Sequence, residues 1–317
     1  MFGLKTDWEL DPPPRYFTLE DYEGGVARWC PGCGDFGVLT AVQRICREQQ
    51  LPPEKVVAVS GIGCSSRFPH YMKTYGFHGL HGRPLPVACG IKSRRPDLDI
   101  WVATGDGDCC SIGAGHWIHA IRYNMDMTVM LFDNAVYGLT KNQTSPTSPV
   151  GFKSNTHPRG AWLPPLDPLQ AMLGFTNVSF VGQAVDWNPI LLHAILRQAH
   201  AHKGLGFVRI LQRCPTYSGH VFQDLQKSPD QLLLLTHDDG LPMTPELDRL
   251  FPNKEQHDPS DLGKARIAAA NHERIPVGVL FRDPSRPIYD DFTNYGLGTS
   301  VEDKLDSINA ELDRFAI

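Results

Sequence analysis

Four cysteines lie in turn and loop segments that could direct thiolates at an inorganic centre. Cys30 and Cys33 form a Cys-x-x-Cys turn that contains a proline and a glycine. Cys64 lies in a glycine-rich loop, and Cys214 precedes a proline directly after a predicted strand. Free backbone amides in such loops can donate to sulfur, which is typical of iron–sulfur clusters bound by four thiolates. A structural zinc ion and a redox dithiol at Cys30 and Cys33 are alternatives that this spacing leaves open.

The other four cysteines are weaker candidates for chemistry. Cys46 lies on the apolar face of a predicted helix, so we expect it to pack in the core. Cys109 and Cys110 are adjacent in the sequence, and adjacent thiols rarely bind one centre well, so packing is expected there too. Cys89 precedes a glycine in a weakly defined stretch, and the sequence assigns it no role. A disulfide framework is not expected for a cytosolic chain of this size.

A second group of residues could hold a diphosphate and its metal ion. Gly105-Asp106-Gly107-Asp108 opens a predicted helix, and Asn134 follows the next predicted strand. Glycine amides at a helix N-terminus suit a diphosphate. The carboxylate of Asp106, the amide oxygen of Asn134 and a free backbone carbonyl suit Mg²⁺, which prefers hard oxygen ligands. Gly-Asp-Gly alone is a common turn, and the second element behind a strand is what favours a ligand site.

Two other motifs do not lead to predicted sites. The Gly-Ile-Gly and Gly-Asp-Gly segments have Ser66 and Cys110 where a dinucleotide fingerprint needs its third glycine. His78 and His81 form a His-x-x-His pair, but no matching local pair completes a zinc site.

These motifs follow short apolar runs that predict strands, and the strands alternate with predicted helices. The alternation favours an α/β fold with a doubly wound, mostly parallel sheet. Ligands of such sheets bind beyond the carboxyl ends of strands, so we expect the three glycine- and asparagine-bearing loops along one edge. Strands are predicted at 55–60, 99–104, 127–132, 175–181 and 206–211, and helices at 35–49, 111–124, 167–173, 188–202 and 301–315.

Composition limits the class of protein. The 317 residues are 41% hydrophobic, with 30 basic and 35 acidic side chains, so a nucleic-acid footprint is not expected. The longest aliphatic run is Leu232–Leu235, far short of a membrane span, and the N-terminus lacks a signal-peptide core, so we expect a soluble, cytoplasmic protein. Composition changes near Lys227. We therefore predict a main domain at 1–226 and a C-terminal extension at 227–317 that packs on this domain or on a partner.

Together these motifs resemble the β subunit of the 2-oxoacid:ferredoxin oxidoreductase family, most closely the members that act on 2-oxoglutarate. The resemblance covers about residues 20–225 and continues more weakly through 275–291. It implies that the main domain has the thiamine-diphosphate-binding fold and carries the iron–sulfur cluster loops. The matching segments are WCPGCG (29–34), GIGCSSR (61–67), TYGFHGLHGR (74–83), GDGD (105–108), DNAVYGLTKNQTSPTS (133–148) and RCPTY (213–217).

The resemblance also implies a set of site residues. Cys30, Cys33, Cys64 and Cys214 would bind one 4Fe–4S cluster. Mg²⁺ would be bound by Asp106, Asn134 and the carbonyl of Val136. The contacts to thiamine diphosphate would come from Gly63, Ser65, Ser66, His81, Gly105, Gly107, Asp108, Tyr137, Gly138, Leu139 and Thr140.

The implied reaction is the oxidative decarboxylation of a 2-oxoacid with CoA and ferredoxin, reversible as reductive carboxylation. The glutamate that activates the aminopyrimidine ring comes from the partner α subunit in this family. We therefore expect the chain to be active only with an α or fused αγ subunit, as a heterodimer or a dimer of heterodimers.

Substrate choice would depend on cations near the cofactor, for which Lys141, Arg67 and His81 are the candidates. Pyruvate-preferring relatives tend to have Gly-Gly-Gln where this chain has Lys141-Asn142-Gln143. A cation there could pair with the distal carboxylate of 2-oxoglutarate, which favours succinyl-CoA formation over pyruvate oxidation. Two rival functions leave part of the sequence unused. A cluster-free thiamine-dependent decarboxylase or synthase leaves the loop cysteines idle, and a non-catalytic electron-transfer or zinc module leaves the diphosphate loop idle.

Overall fold

A single twisted sheet organises the protein. The computed structural model describes residues 15–293 and 300–315, and within them nine strands pair side by side. All pairs are parallel except one, which confirms the predicted mostly parallel α/β fold. The strands are β1 (Val56–Ser60), β2 (Tyr75–His78), β3 (Asp99–Gly105), β4 (Met127–Asp133), β5 (Phe180–Val185), β6 (Leu205–Leu211), β7 (Leu232–Thr236), β8 (Lys254–Gln256) and β9 (Ile275–Arg282).

The strand order is β2-β1-β3-β4-β6-β5-β9-β7-β8, and β5 pairs antiparallel with β9. Helices cover both faces of this sheet. Several begin at a capping side chain: Asp167 accepts from Leu169 N, and Asn188 accepts from Leu191 N. The α-helices of the described residues are α1 (Asp35–Glu48), α2 (Pro84–Arg94), α3 (Ala114–Tyr123), α4 (Pro168–Gly174), α5 (Pro189–Ala201), α6 (Gln223–Lys227), α7 (Pro245–Leu250), α8 (Leu262–Ala269), α9 (Tyr289–Thr293) and α10 (Val301–Asp313).

Alternating side chains of the central strands feed two apolar cores. In β4, Met130 and Phe132 pack with α1 and α5 on one face, whereas Val129 and Leu131 pack with α2, α3, α4 and α8 on the other. Period-two alternation of apolar residues on both faces is what a sheet buried between helices requires. Cys46 is fully buried in the first core and Cys109 and Cys110 are buried in the second, which confirms their predicted packing role.

The predicted elements differ from the observed ones in three places. The strand expected at 175–181 is wrong at its start, because Asn177 has a left-handed φ of 66° and β5 begins only at Phe180. The helix expected at 111–124 is interrupted, since a π-helical turn at Asp108–Ile112 precedes α3. The prediction also lacked β2 and α2.

The region after residue 226 supplies β7, β8 and β9 to the same sheet, so its strands continue the main layer. The domain boundary itself stays a prediction. Among the residues described, no helix is long and apolar enough to cross a bilayer. The N-terminal segment 1–14, which the sequence analysis considered for a signal peptide, lies outside the described residues.

Candidate active site

The loops that carry the sequence motifs meet at one edge of the sheet. Because β1, β3, β4 and β6 run parallel, their carboxyl ends lie together, as predicted. A cavity, here called the cofactor cavity, opens at this edge. It is lined by Ile62, Gly63, Cys64, Ser65, His81, Gly105, Asp106, Gly107, Asp108, Phe132, Asn134, Val136, Tyr137, Gly138, Leu139 and Thr140.

Asp106 is a buried carboxylate held by two hydroxyl groups. Ser145 Oγ and Thr147 Oγ1 lie 2.5 and 2.7 Å from its Oδ2. Burial and the neighbouring carboxylate of Asp133 raise the pKa of Asp106 to about 7, although both hydroxyls favour its charged form. Arg209 pairs with Asp133 at 2.6 Å. A carboxylate with a raised pKa in this position fits a divalent cation, because a positive ion offsets the cost of its buried charge.

Asn134 presents a fixed amide to the same cavity. Its Nδ2 donates to Gln212 Oε1 at 2.8 Å, and its Oδ1 accepts from Val136 N at 3.2 Å. Ala135 between them has a left-handed φ of 56°, and its carbonyl accepts from Ser148 Oγ at 2.6 Å. The turn therefore places the amide and the following backbone on the wall that faces Asp106.

Asp108 connects three loops rather than facing solvent. Its Oδ1 accepts from Gly82 N at 2.7 Å and Ile62 N at 3.1 Å, and it lies 2.6 Å from His81 Nδ1. Its Oδ2 accepts from Thr104 Oγ1 at 2.8 Å. With Nδ1 paired to this carboxylate, the His81 ring is fixed in orientation at the cavity wall.

The glycine between the two aspartates is required by a ring. Tyr137 donates its hydroxyl to Gly107 O at 3.1 Å, and a Cβ at Gly107 would lie 2.1 Å from the Tyr137 ring. Burial raises the pKa of Tyr137, so the hydroxyl stays a donor. Any larger residue at position 107 would displace the ring and the loop it supports.

The four loop cysteines share a second cavity, here called the cysteine cavity. A Cβ built on Gly138 would lie 3.7 Å from the Sγ atoms of both Cys64 and Cys214, which places these two sulfurs on either side of one small residue. Burial raises the pKa of Cys64 to about 12 and raises that of Cys33 as well. The lining residues are Arg28, Trp29, Cys30, Cys33, Cys64, Arg67, Asn134, Gly138, Leu139, Lys141, Gln212, Cys214, Pro215, Thr216 and Tyr217.

Two buried contacts hold the cysteine loops against each other. Gly34 N donates to Arg213 O at 3.2 Å, which joins the Cys-x-x-Cys turn to the residue before Cys214. The guanidinium of Arg213 pairs with Asp186 at 2.9 Å, and a Cβ at Gly34 would lie 2.3 Å from that carboxylate. Distant parts of the sequence thus meet because β5 and β6 are neighbours in the sheet.

Most of the predicted site residues line one of the two cavities. Ser66 does not, because it is buried and its carbonyl accepts from Ser60 Oγ at 2.6 Å. Lys141 and Arg67 line the cysteine cavity, whereas His81 lines the cofactor cavity. Across residues 15–293 and 300–315, no three histidine, cysteine, aspartate or glutamate side chains converge to bind a single metal ion.

The sequence analysis missed the residues that hold these groups in place. They stand in loops whose partners are set only by the folded chain, so no local pattern marks them. The hydroxyl residues of the polar loop after Asn134 offered the nearest signal. The missed residues are Ser145, Thr147, Asp186, Gln212 and Arg213.

This sheet, with a glycine–aspartate loop and an asparagine turn at its edge, places the protein in the class of thiamine pyrophosphate enzymes. Residues 56–210 match the family described as thiamine pyrophosphate enzyme, C-terminal TPP binding domain. Residues 248–295 match the family described as the C-terminal part of the pyruvate ferredoxin oxidoreductase beta chain.

Individual relatives narrow the class. The chain is 39% identical over 289 residues to 2-oxoglutarate oxidoreductase subunit KorB of Mycobacterium tuberculosis, covering 83% of this chain and 77% of the relative. It is 37% identical over 287 residues to the 2-oxoacid:ferredoxin oxidoreductase subunit beta of Saccharolobus solfataricus, covering 89% and 85%. The chain belongs to the β-subunit family of the 2-oxoacid:ferredoxin oxidoreductases.

A solved structure agrees with this assignment. The 2-oxoglutarate:ferredoxin oxidoreductase from Magnetococcus marinus, with 2-oxoglutarate, coenzyme A and succinyl-CoA bound, superposes with a TM-score of 0.76. Its sequence is 35% identical, and the match covers 92% of this chain and 96% of the other.

Proposed function

We propose that this chain, with an α subunit, converts 2-oxoglutarate and CoA to succinyl-CoA and CO₂ and passes the two electrons to ferredoxin. The observation that carries the proposal is a shared wall. Cys64, Asn134, Gly138 and Leu139 line both the cofactor cavity and the cysteine cavity. A cofactor that releases electrons and a centre that accepts them would therefore be neighbours, which one-electron transfer requires.

The cofactor cavity fits magnesium thiamine diphosphate. Asp106, the Asn134 amide oxygen and the Val136 carbonyl would bind Mg²⁺, since all three are hard oxygen ligands. The Gly105–Asp108 loop would approach the diphosphate, with Gly107 held to its small size by Tyr137. When bound, the cofactor supplies the electron sink for decarboxylation.

The cysteine cavity fits a 4Fe–4S cluster. Each thiolate of such a cluster binds a different iron, so the four sulfurs need to surround a volume rather than converge on a point. Cys30, Cys33, Cys64 and Cys214 line one cavity in this way. The raised thiol pKa values also fit, because bound iron stabilises the thiolate form. When bound, the cluster supplies one-electron transfer towards ferredoxin.

The chain's own cations would orient the substrate. Lys141 lies on the wall beside Leu139, with a left-handed φ of 70° and a carbonyl that accepts from Asn155 Nδ2 at 2.6 Å. Arg67 is anchored through a bond from Nη1 to Arg28 O at 2.9 Å. We propose that Lys141 pairs with the distal carboxylate of 2-oxoglutarate. His81, fixed by Asp108, would face the reacting end of the substrate from the cofactor cavity.

Two features of the proposal come from the family resemblance. The α subunit, separate or fused to γ, would supply the glutamate that activates the aminopyrimidine ring, in a heterodimer or a dimer of heterodimers. Pyruvate is the second candidate substrate, because residues 248–295 match a family named for pyruvate oxidation.

The test is viologen reduction by the co-expressed complex, with CoA and a panel of 2-oxoacids. We expect 2-oxoglutarate to be the preferred substrate by kcat/KM. Lys141→Ala should lower that value for 2-oxoglutarate relative to pyruvate by about 10- to 100-fold, the scale of one lost charge pair in a partly exposed site. Lys153→Ala, at an exposed lysine of the same polar loop, is the control and should not change the preference. A preference that Lys141→Ala leaves unchanged would refute the substrate assignment.

A further inference from the structure

Gln212 stands between the two proposed centres. It directly follows β6 and is 1% exposed. Its Nε2 lies 3.3 Å from Cys33 Sγ, and its Oε1 accepts from Asn134 Nδ2 at 2.8 Å. One buried amide therefore contacts a proposed cluster ligand through its nitrogen and a proposed magnesium ligand through its oxygen.

The orientation of this amide is set by its surroundings. A third contact runs from Nε2 to Arg213 O at 2.5 Å. The two hydrogens of the amide nitrogen thus match the two acceptors, a thiol sulfur and a carbonyl. The reverse orientation would face the amide oxygen with that carbonyl and the amide nitrogen with the Asn134 NH₂ group, which are two repulsive contacts.

The contact also fixes Asn134. Because Nδ2 donates to Gln212, Oδ1 points to the opposite side, where Val136 N donates to it. An oxygen held on that side keeps a lone pair for a cation on the wall of the cofactor cavity. Partners of metal ligands act in this way, and their loss typically lowers metal affinity about 10- to 100-fold.

We propose that Gln212 is a positioning residue for both centres, which rests on the proposed function. Its N–H group stabilises the sulfur of Cys33 most when the cluster is reduced and more negative, so it raises the reduction potential. Its carbonyl oxygen holds the Asn134 amide in the orientation that binds Mg²⁺. Since hydrogen bonds in a chain polarise each other, loading the cofactor site would also strengthen the bond to sulfur.

Two substitutions separate these roles. Gln212→Glu keeps an oxygen for Asn134 Nδ2 but removes the donor to Cys33, and it is close to isosteric. Gln212→Leu removes both contacts. Gln43→Leu is the matched control, since Gln43 is a buried glutamine of α1 whose Nε2 lies 3.4 Å from the carbonyls of Tyr22 and Tyr71.

The experiment uses the anaerobically purified complex and two readouts besides turnover. An EPR-monitored titration gives the reduced-to-oxidised ratio of the cluster at the wild-type midpoint potential. Mg²⁺ titration of the metal-depleted complex, followed by thiamine diphosphate uptake, gives metal affinity. Gln212→Glu should lower the redox ratio about three- to tenfold, the scale of one hydrogen bond, without weakening Mg²⁺ binding. Gln212→Leu should also lower the redox ratio and should weaken Mg²⁺ binding about 10- to 100-fold.

The outcomes are distinguishable. A redox ratio that stays at the wild-type value in Gln212→Glu overturns the inference, as does equal weakening of both properties by Gln43→Leu. A wild-type complex that has no EPR signal of a reduced 4Fe–4S cluster and no iron overturns the proposed function instead.

Discussion

The two cavities at the sheet edge are built differently. In the cofactor cavity, the carboxylate of Asp108 meets four donors and that of Asp106 meets two hydroxyls before any ligand binds. In the cysteine cavity, the thiols of Cys33 and Cys64 have raised pKa values because burial dominates. The oxygen site is therefore organised by the chain itself, whereas the sulfur site is completed by the centre it binds.

This difference follows from the chemistry of the ligands. A carboxylate is charged at neutral pH and needs donors to stay buried, so the chain must supply them. A thiol is neutral and can be buried without partners, and it becomes a thiolate only when a metal displaces its proton. Loss of one cysteine should thus remove a whole centre, whereas loss of one oxygen partner should weaken a centre that remains in place.

The largest effect is expected from removal of a single thiol. Cys30→Ala should abolish cluster binding and viologen reduction, because the remaining three thiolates leave one iron without a protein ligand. Thiamine diphosphate binding should persist, since Cys30 does not line the cofactor cavity. Iron analysis and cofactor titration of the same preparation measure both. Cys89→Ala, at a half-buried thiol of α2, is the control and should retain iron.

A smaller but strong effect is expected at Asp106. Asp106→Asn should weaken Mg²⁺ and thiamine diphosphate binding by about 100-fold while iron content stays unchanged. The control is Asp97→Asn, at an exposed carboxylate paired with Lys55 and Arg95. Loss of iron together with the cofactor would contradict independent assembly of the two centres.

The same substitution makes a prediction about pH. The pKa of Asp106 is raised to about 7 in the metal-free fold from an ordinary 3.8, so the folded state binds the proton more tightly than the unfolded state. Stability contributed by protonated Asp106 is present below pH 4 and is lost as pH rises through 7. Asp106→Asn should remove this part of the decline in the metal-free protein. Thermal unfolding at pH 5 and pH 8 measures it, and a decline as steep as in the wild type would contradict the assignment.

The smallest of these effects is expected from a hydroxyl. Thr147 Oγ1 lies 2.7 Å from both Asp106 Oδ2 and Asp133 Oδ1. Thr147→Val keeps the shape and removes the donor, so it should weaken Mg²⁺ binding about tenfold and cost about 1–3 kcal/mol of unfolding free energy. Thr40→Val, whose hydroxyl donates to Phe36 O on α1, should leave Mg²⁺ binding unchanged. An equal loss in both variants would assign Thr147 a purely structural role.

The predictable part of the site is the part next to regular strands. Asp106 and Asn134 each follow an apolar strand, so their common edge could be derived from strand–helix alternation alone. Edge strand β2 was missed because its four residues are all exposed and show no alternation. Thr147 and Gln212 were missed for another reason: their partners are distant in sequence and are brought close only by the folded loops.

The central claim is that one chain holds an oxygen-bound cofactor and a sulfur-bound cluster across a shared wall. Elemental and cofactor analysis of the anaerobically purified complex, resolved to this subunit, tests it most directly. The account predicts about four irons and one thiamine diphosphate with Mg²⁺ for each chain. Zinc in place of iron, or thiamine diphosphate without iron, would contradict it.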